Sequence, residues 1–301
     1  MLCVSLQNKA LFVYKAKGKG RGAESVKNES REQLKKAYTY EGLSPTAKKD
    51  IRRLVDNWQT AVLTSQKLYS KGKERRRRYF VLITLTLPAK QNIDDNTLKR
   101  KYLNVWLQNL ERDYKGICWL WVAECQHNGN LHFHVVVDRW VDFEWIKRTW
   151  NRIMDNGDFV ARYAAKFGHK NPPSVNVEGQ KKMCSPAAYI TKYLTSDKFV
   201  RPIQGRKWGC CDKLREIDRW RFAADECIHD YLQNELGGFI KHWQSHDYST
   251  AYYFEKPIMH SGVFDRLLYI FQSDICWSLS TFYEELGRCI PEDLPLAACY
   301  A

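Results

Sequence analysis

An α+β fold, with a central, mainly antiparallel sheet and flanking helices, follows from three features of this 301-residue sequence. Short apolar runs alternate with period two, the segments between them carry apolar residues at helical spacing, and a turn signal joins two of the runs directly. Beyond residue 214 the pattern loosens, and a mainly helical, aromatic C-terminal region (215–301) without motif or repeat is expected.

Residues 1–43 read as a basic N-terminal segment, disordered where Lys, Gly, Glu and Ser dominate (15–40). Ser44 is an N-cap and Pro45 stands at the first helical position, where its missing N–H is no loss, so a basic helix is expected over 44–78. YFVLITLTLP (79–88) is a strand with Thr84 and Thr86 on one face, Ile83, Leu85 and Leu87 on the other, and Pro88 ending it. Leu98, Tyr102, Val105, Trp106 and Leu110 recur at helical spacing and predict an amphipathic helix over 94–113. GICWLWVAECQ (116–126) and LHFHVVVDRWV (131–141) are two strands joined by HNGN. Asp142 caps a helix bearing Trp145, Ile146, Trp150 and Ile153. SVNVEG (174–179) is a short strand, and Ser185 with Pro186 opens a short helix over 185–196.

The charge is lopsided. Residues 1–80 hold 20 Lys or Arg against 7 Asp or Glu, whereas the remaining 221 hold 28 against 27. Runs such as KAKGKGRG (15–22) and KGKERRRR (71–78) serve as solvated segments or localisation signals, but so concentrated an excess favours a polyanionic partner, nucleic acid before membrane. The 11 Trp, 17 Tyr and 13 Phe suit both a core and stacking on unpaired bases. The ten cysteines form no C-x-x-C pair, which fits free thiols in a reducing cytoplasm. No signal-peptide pattern opens the chain and no window is apolar enough to span a membrane.

The histidines in LHFHVVVD (131–138) carry the chemical question. Period two puts His132 and His134 on one strand face. A two-residue turn at Asn128-Gly129 would point Glu124 away from them. A three-residue loop, His127-Asn128-Gly129 with Gly129 left-handed, would instead pair Gln126 with Asn130 and set Glu124 across from His132. In the second case a carboxylate and two imidazoles converge, a ligand set for a divalent metal with open positions. Zinc takes the same ligands; Mg²⁺ or Mn²⁺ would need oxygen-rich completion such as a substrate phosphate.

In AAYITKYLT (187–195), Tyr189 and Tyr193 lie four residues apart on one helix face, with Lys192 between them. A strand with TLT, a hairpin with Glu124 and HFH, and a helix with YITKY thus occur in order. In this the sequence resembles the HUH endonucleases that initiate rolling-circle replication, most closely those of small single-stranded DNA phages. The motifs are ITLTLP (83–88), HFH (132–134) with Glu124 eight residues upstream, and YITKY (189–193); GRKWGCCDKL (205–214) is also similar to phage initiators.

The resemblance covers roughly 79–214. It implies an endonuclease domain over 79–214 with His132, His134 and Glu124 as ligands of Mg²⁺ or Mn²⁺. Tyr189 would be the first nucleophile, since Y-x-x-K matches the family pattern, and Tyr193 the second. Lys192 would flank both, where a positive charge could stabilise the transition state or lower a tyrosine pKa. The implied product is a 5′-phosphotyrosine with a free 3′-OH, in the cytoplasm of a host cell. The chain has no G-x-x-x-x-G-K-[ST], so unwinding falls to a host helicase and synthesis to a host polymerase. A transposase or plasmid relaxase shares the chemistry; a zinc hydrolase and a non-catalytic single-stranded DNA-binding protein remain the readings from other classes.

Overall fold

The computed structural model describes residues 2–6, 10–15, 43–69, 80–179, 201–217, 221–224 and 226–255, with positions 258, 263, 266 and 267. The fold is α+β, with two five-stranded antiparallel sheets. Two compact units are drawn from the chain: Met1–Tyr38, Arg53–Arg76 and Glu216–Ala301 form one, Thr39–Arg52 and Arg77–Arg215 the other. None of the described helices is long and apolar enough to cross a membrane.

In the first unit, β1 (Leu2–Leu6) and β2 (Ala10–Lys15) form a hairpin. β8 (Arg221–Ala224) adds to β1, while β10 (Ser249–Phe254) joins β2 to β9 (Ile240–His246). Two expectations are corrected here. Residues 2–6 and 10–15 are not part of a disordered segment: Val4, Leu11 and Val13 are buried, and the β-branched and aromatic residues of LCVSL and ALFVYK form strands. Residues 16–42 lie outside the described residues. Among the described residues of 215–301 stand the helix α7 (Ile228–Leu236) and also three strands, which a helical expectation does not foresee. The reason is non-local: β10 finds its partner in β2, at the far end of the chain, and no turn chemistry near residue 250 advertises that pairing.

The second unit holds β3 (Val81–Thr86), β4 (Trp119–Cys125), β5 (Leu131–Val137), β6 (Val175–Gly179) and β7 (Trp208–Cys210) in the order β6-β3-β5-β4-β7. The hairpin β4–β5 is central, as the sequence predicts. Alternation divides the sheet into two faces. Val81, Ile83, Leu85, Trp121, Phe133 and Val135 point into a core with Trp106 and Trp150 of the covering helices. The opposite face is apolar at one end (Leu82, Leu120, Val136) and polar at the other, where Thr84, Thr86, Glu124, His132 and His134 gather.

The helices begin where their caps dictate. Ser44 Oγ accepts from Ala47 N (3.1 Å) at the start of α1 (Pro45–Tyr69). Asp94 accepts from Thr97 N (2.9 Å) to open α2 (Asp95–Leu98), which passes through a π-helical turn (Lys99–Leu103) into α3 (Asn104–Asp113). Asp142 accepts from Trp145 N (2.7 Å) ahead of α4 (Phe143–Asp155). The helix α5 (Phe159–Phe167) has no counterpart in the sequence reading, because only Phe159 and Val160 of it are buried and the apolar periodicity is too short to register. α6 (Asp212–Glu216) follows β7. The expected helix over 185–196 lies outside the described residues.

A long-range ion pair closes this unit. Asp95, 2% exposed, accepts from Arg201 Nη1 (2.8 Å) and Nη2 (2.7 Å), from Gln91 Nε2 (2.7 Å) and from Gln204 N (2.9 Å). Burial pushes its carboxyl up, but the Arg201 guanidinium and the other donors outweigh that and hold it below the ordinary value. Asp95→Ala strands the half-buried guanidinium and the donors of Gln91 and Gln204, and is expected to lower stability by about 3 kcal/mol in calorimetry near neutral pH. Because the folded-state pKa is the depressed one, the contribution is present above the unfolded value of 3.8 and lost as pH falls below it. Tm of the variant is therefore expected to fall less steeply with acid than that of the parent.

Candidate metal centre

The β4–β5 turn settles the two geometries the sequence allows. Gln126 N donates to Asn130 O (2.8 Å) and Gly129 N to Gln126 O (2.9 Å), with Gly129 at φ 83°. This is the three-residue loop with a left-handed glycine. Asn128 Oδ1 accepts from Asn130 N (2.9 Å), and Asn130 Oδ1 from Gln91 N (2.8 Å), so the tip is braced from within and from the 88–93 turn. In the resulting register Glu124 stands opposite His132, and Thr86 flanks His132 from the other side as Thr84 flanks His134.

Glu124, His132 and His134 each offer a ligand atom within 4.8 Å of the others. Glu124 and His132 are half-buried and His134 is buried, so the cluster opens to solvent on one side. His134 Nε2 donates to Glu124 Oε2 (2.8 Å), and its Nδ1 accepts from the Thr84 hydroxyl (3.2 Å). The bond to His134 holds the Glu124 carboxyl below its ordinary range against the opposing effect of burial. Burial first, and the neighbouring His134 second, pull His132 down to about 4 despite the attraction of Glu124. At neutral pH the cluster thus pairs a carboxylate with an uncharged His132, whose lone pair is available to a Lewis acid.

The surroundings of His132 fit a cation as well. Its Nε2 lies 2.7 Å from Thr86 Oγ1 and 2.6 Å from Gln126 Nε2, two donors directed at one lone pair. Gln126 Oε1 is buried with no hydrogen-bond partner. An oxygen-rich cation beside this nitrogen would replace the crowded donors and give the amide oxygen something to face. The sequence reading does not single out Gln126. The available signal is its place two residues after Glu124, hence on the same strand face.

The structure therefore brings together Glu124, His132 and His134, with Thr84 and Thr86 beside them. Tyr189, Lys192 and Tyr193 lie outside the described residues, within 180–200. That segment is entered from Gly179, which pairs with Val81, and left at Arg201, which is bound to Asp95 and to Gly129 O (2.9 Å).

Residues 80–198 match the family model of the replication-associated protein ORF2. The matched segment starts at the edge of β3, contains all three candidate ligands and runs through both tyrosines. No curated protein and no solved structure matches the chain.

Two outcomes follow from this geometry. Thr84→Val removes the hydroxyl that bonds His134 Nδ1, the nitrogen facing away from Glu124, without changing side-chain size, and Mn²⁺ affinity measured by calorimetry is expected to fall about tenfold. Gly129→Ala meets no atom within 4 Å of its new Cβ, so its cost is conformational alone. A loss of about 1–2 kcal/mol in denaturant unfolding is expected, with Mn²⁺ binding weakened through the register.

Proposed function

We propose that the protein initiates rolling-circle replication by nicking single-stranded origin DNA through metal-assisted tyrosine transesterification. The observation that carries this reading is the convergence of Glu124, His132 and His134 on one sheet face, inside a segment that matches a replication-associated family and continues to the Tyr189–Tyr193 pair.

The ionised Glu124, with the imidazoles of His132 and His134, would hold Mg²⁺ or Mn²⁺, and the bound cation would draw charge from the scissile phosphate. Thr84 fixes the His134 ring through Nδ1, so its Nε2 needs little rearrangement when the phosphate arrives. The Tyr189 phenol gives up its proton as its oxygen attacks phosphorus, the bond to the 3′ oxygen breaks, and that oxygen leaves as a 3′-OH after taking up a proton, so none is consumed overall. The 5′ phosphate stays on Tyr189. Lys192 offsets the negative charge that builds on the phosphoryl oxygens. Because one phosphodiester replaces another, resealing needs no ATP, and Tyr193 can attack while Tyr189 still holds a strand. The released 3′-OH primes a host polymerase in the host cytoplasm, with a host helicase unwinding the duplex.

The test uses the full chain with Mn²⁺ and end-labelled single-stranded hairpins of phage-origin and transposon-end type. A covalent protein–DNA adduct, mapped by mass spectrometry to Tyr189 or Tyr193, is expected on the phage-origin hairpins and absent from the Tyr189→Phe/Tyr193→Phe variant. An adduct confined to transposon-end hairpins would replace initiation by transposition. Cleavage that survives loss of both tyrosines would replace the whole mechanism by direct metal-dependent hydrolysis.

A further inference from the structure

The helix α5 and the turn after it form a surface the core does not need. Of the nine helical residues only Phe159 and Val160 are buried. Phe167 at the C-terminal end is 53% exposed. It lies against Tyr163 with ring centroids 4.6 Å apart and planes at 32°, and His169 adds a third ring, 5.4 Å from Tyr163. Lys166 Nζ sits 5.2 Å from the centre of the Phe167 ring, and Lys166, His169 and Lys170 are all exposed. From Phe159 to Val177 the sequence contains Arg162, Lys166 and Lys170 and no Asp or Glu.

The surface is fixed in place. Arg162 donates to Lys90 O (2.9 Å) and Asn92 Oδ1 (3.0 Å), pinning the helix to the turn after β3. Gly168, left-handed at φ 78°, ends the helix and turns the chain toward Ser174, whose carbonyl accepts from Thr86 N (2.8 Å). Thr86 is the residue whose hydroxyl meets His132. Phe167 is thus seven residues from Ser174, which bonds the backbone of that residue, a covalent reach to Ser174 of at most ~25 Å.

We propose that Tyr163, Phe167 and His169, with Lys166 and Lys170, form a stacking platform for the unpaired bases of single-stranded DNA on the same unit as the candidate metal centre. This rests on the reading that DNA is the ligand. Surface rings flanked by cations, with no carboxylate in the chain between Phe159 and Val177, match a polymer that alternates flat apolar bases with phosphates. Duplex DNA, whose bases are already stacked, gains nothing from the rings.

The experiment measures binding of the full chain to a fluorescein-labelled oligo-dT strand by anisotropy in EDTA, so that no metal chemistry intervenes. Phe167→Ala is expected to weaken binding about 5- to 150-fold, while Phe167→Trp binds as tightly as the parent. Lys166→Ala combined with Lys170→Ala lowers the slope of log affinity against log salt by about 1.4. Binding to a labelled duplex changes less than about twofold in Phe167→Ala, and its unfolding midpoint stays that of the parent because the ring is exposed. If the parent binds oligo-dT and Phe167→Ala binds it equally well, the platform is refuted while the nicking proposal stands, and the rings then serve a protein partner. If the parent binds no single strand at all, both proposals fall together.

Discussion

The register of β5 between β3 and β4 is the constraint on which the rest of this unit depends. Side chains alternate with period two, so a slip of one residue would carry Glu124 to the core face and put Cys125 beside the histidines. Two devices prevent it. The left-handed Gly129 closes a loop of three residues, not two, and the Gln91–Asn130 contact ties the tip of that loop to the end of β3. The Thr86–His132 and Thr84–His134 pairings repeat the same register from the other side of β5. Turn, brace and cross-strand pairs all specify one alignment, which leaves the candidate ligands no second arrangement of comparable energy.

The two faces of the sheet divide the labour. One is closed by Trp106, Trp150 and their neighbours, with Phe133 and Trp121 edge to face at 6.2 Å and Phe133 and Trp150 at 6.4 Å, so β5 is held by large rings from below. The other face turns from apolar to polar along its length. Two imidazoles can be partly buried there only because each nitrogen described finds a hydroxyl, an amide or a carboxylate, and because His132 is held neutral. A densely packed face beneath a hydrogen-bonded face is what keeps a metal site from loosening.

Local chemistry makes much of this legible in the sequence. The caps at Ser44, Asp94 and Asp142, the strand faces around Thr84 and Thr86, and the choice of turns at His127-Asn128-Gly129 all depend on residues within a few positions of one another, and the structure places each as those residues require. What escapes depends on distant partners. Asp95 and Arg201 are 106 residues apart, and neither is marked by any spacing rule. The strands of the first unit join the two ends of the chain, so a reading by windows takes one end for a disordered arm and the other for helices. α5 escapes for the opposite reason: its exposed face carries the aromatics and its short buried face carries almost nothing.

On the proposed mechanism, the covalent chain supplies the last link between the candidate ligands and the tyrosines. Residues 180–200 are tied at one end to the β6 edge beside β3 and at the other to Arg201, which is fastened to Asp95 and to the carbonyl of the turn glycine. Both tethers stand on the elements that carry the metal site. Tyr189 is ten residues beyond Gly179 and Tyr193 is eight before Arg201, so any conformation of the segment keeps the phenols within ~40 Å of these anchors. A nucleophile confined to that volume would, on the same mechanism, meet a phosphate at the cluster at an effective concentration in the millimolar range. Under that proposal the Asp95–Arg201 pair would bear on the chemistry as well as on stability: it fixes the far end of the segment that carries the tyrosines to the same hairpin tip that sets the register of the candidate ligands.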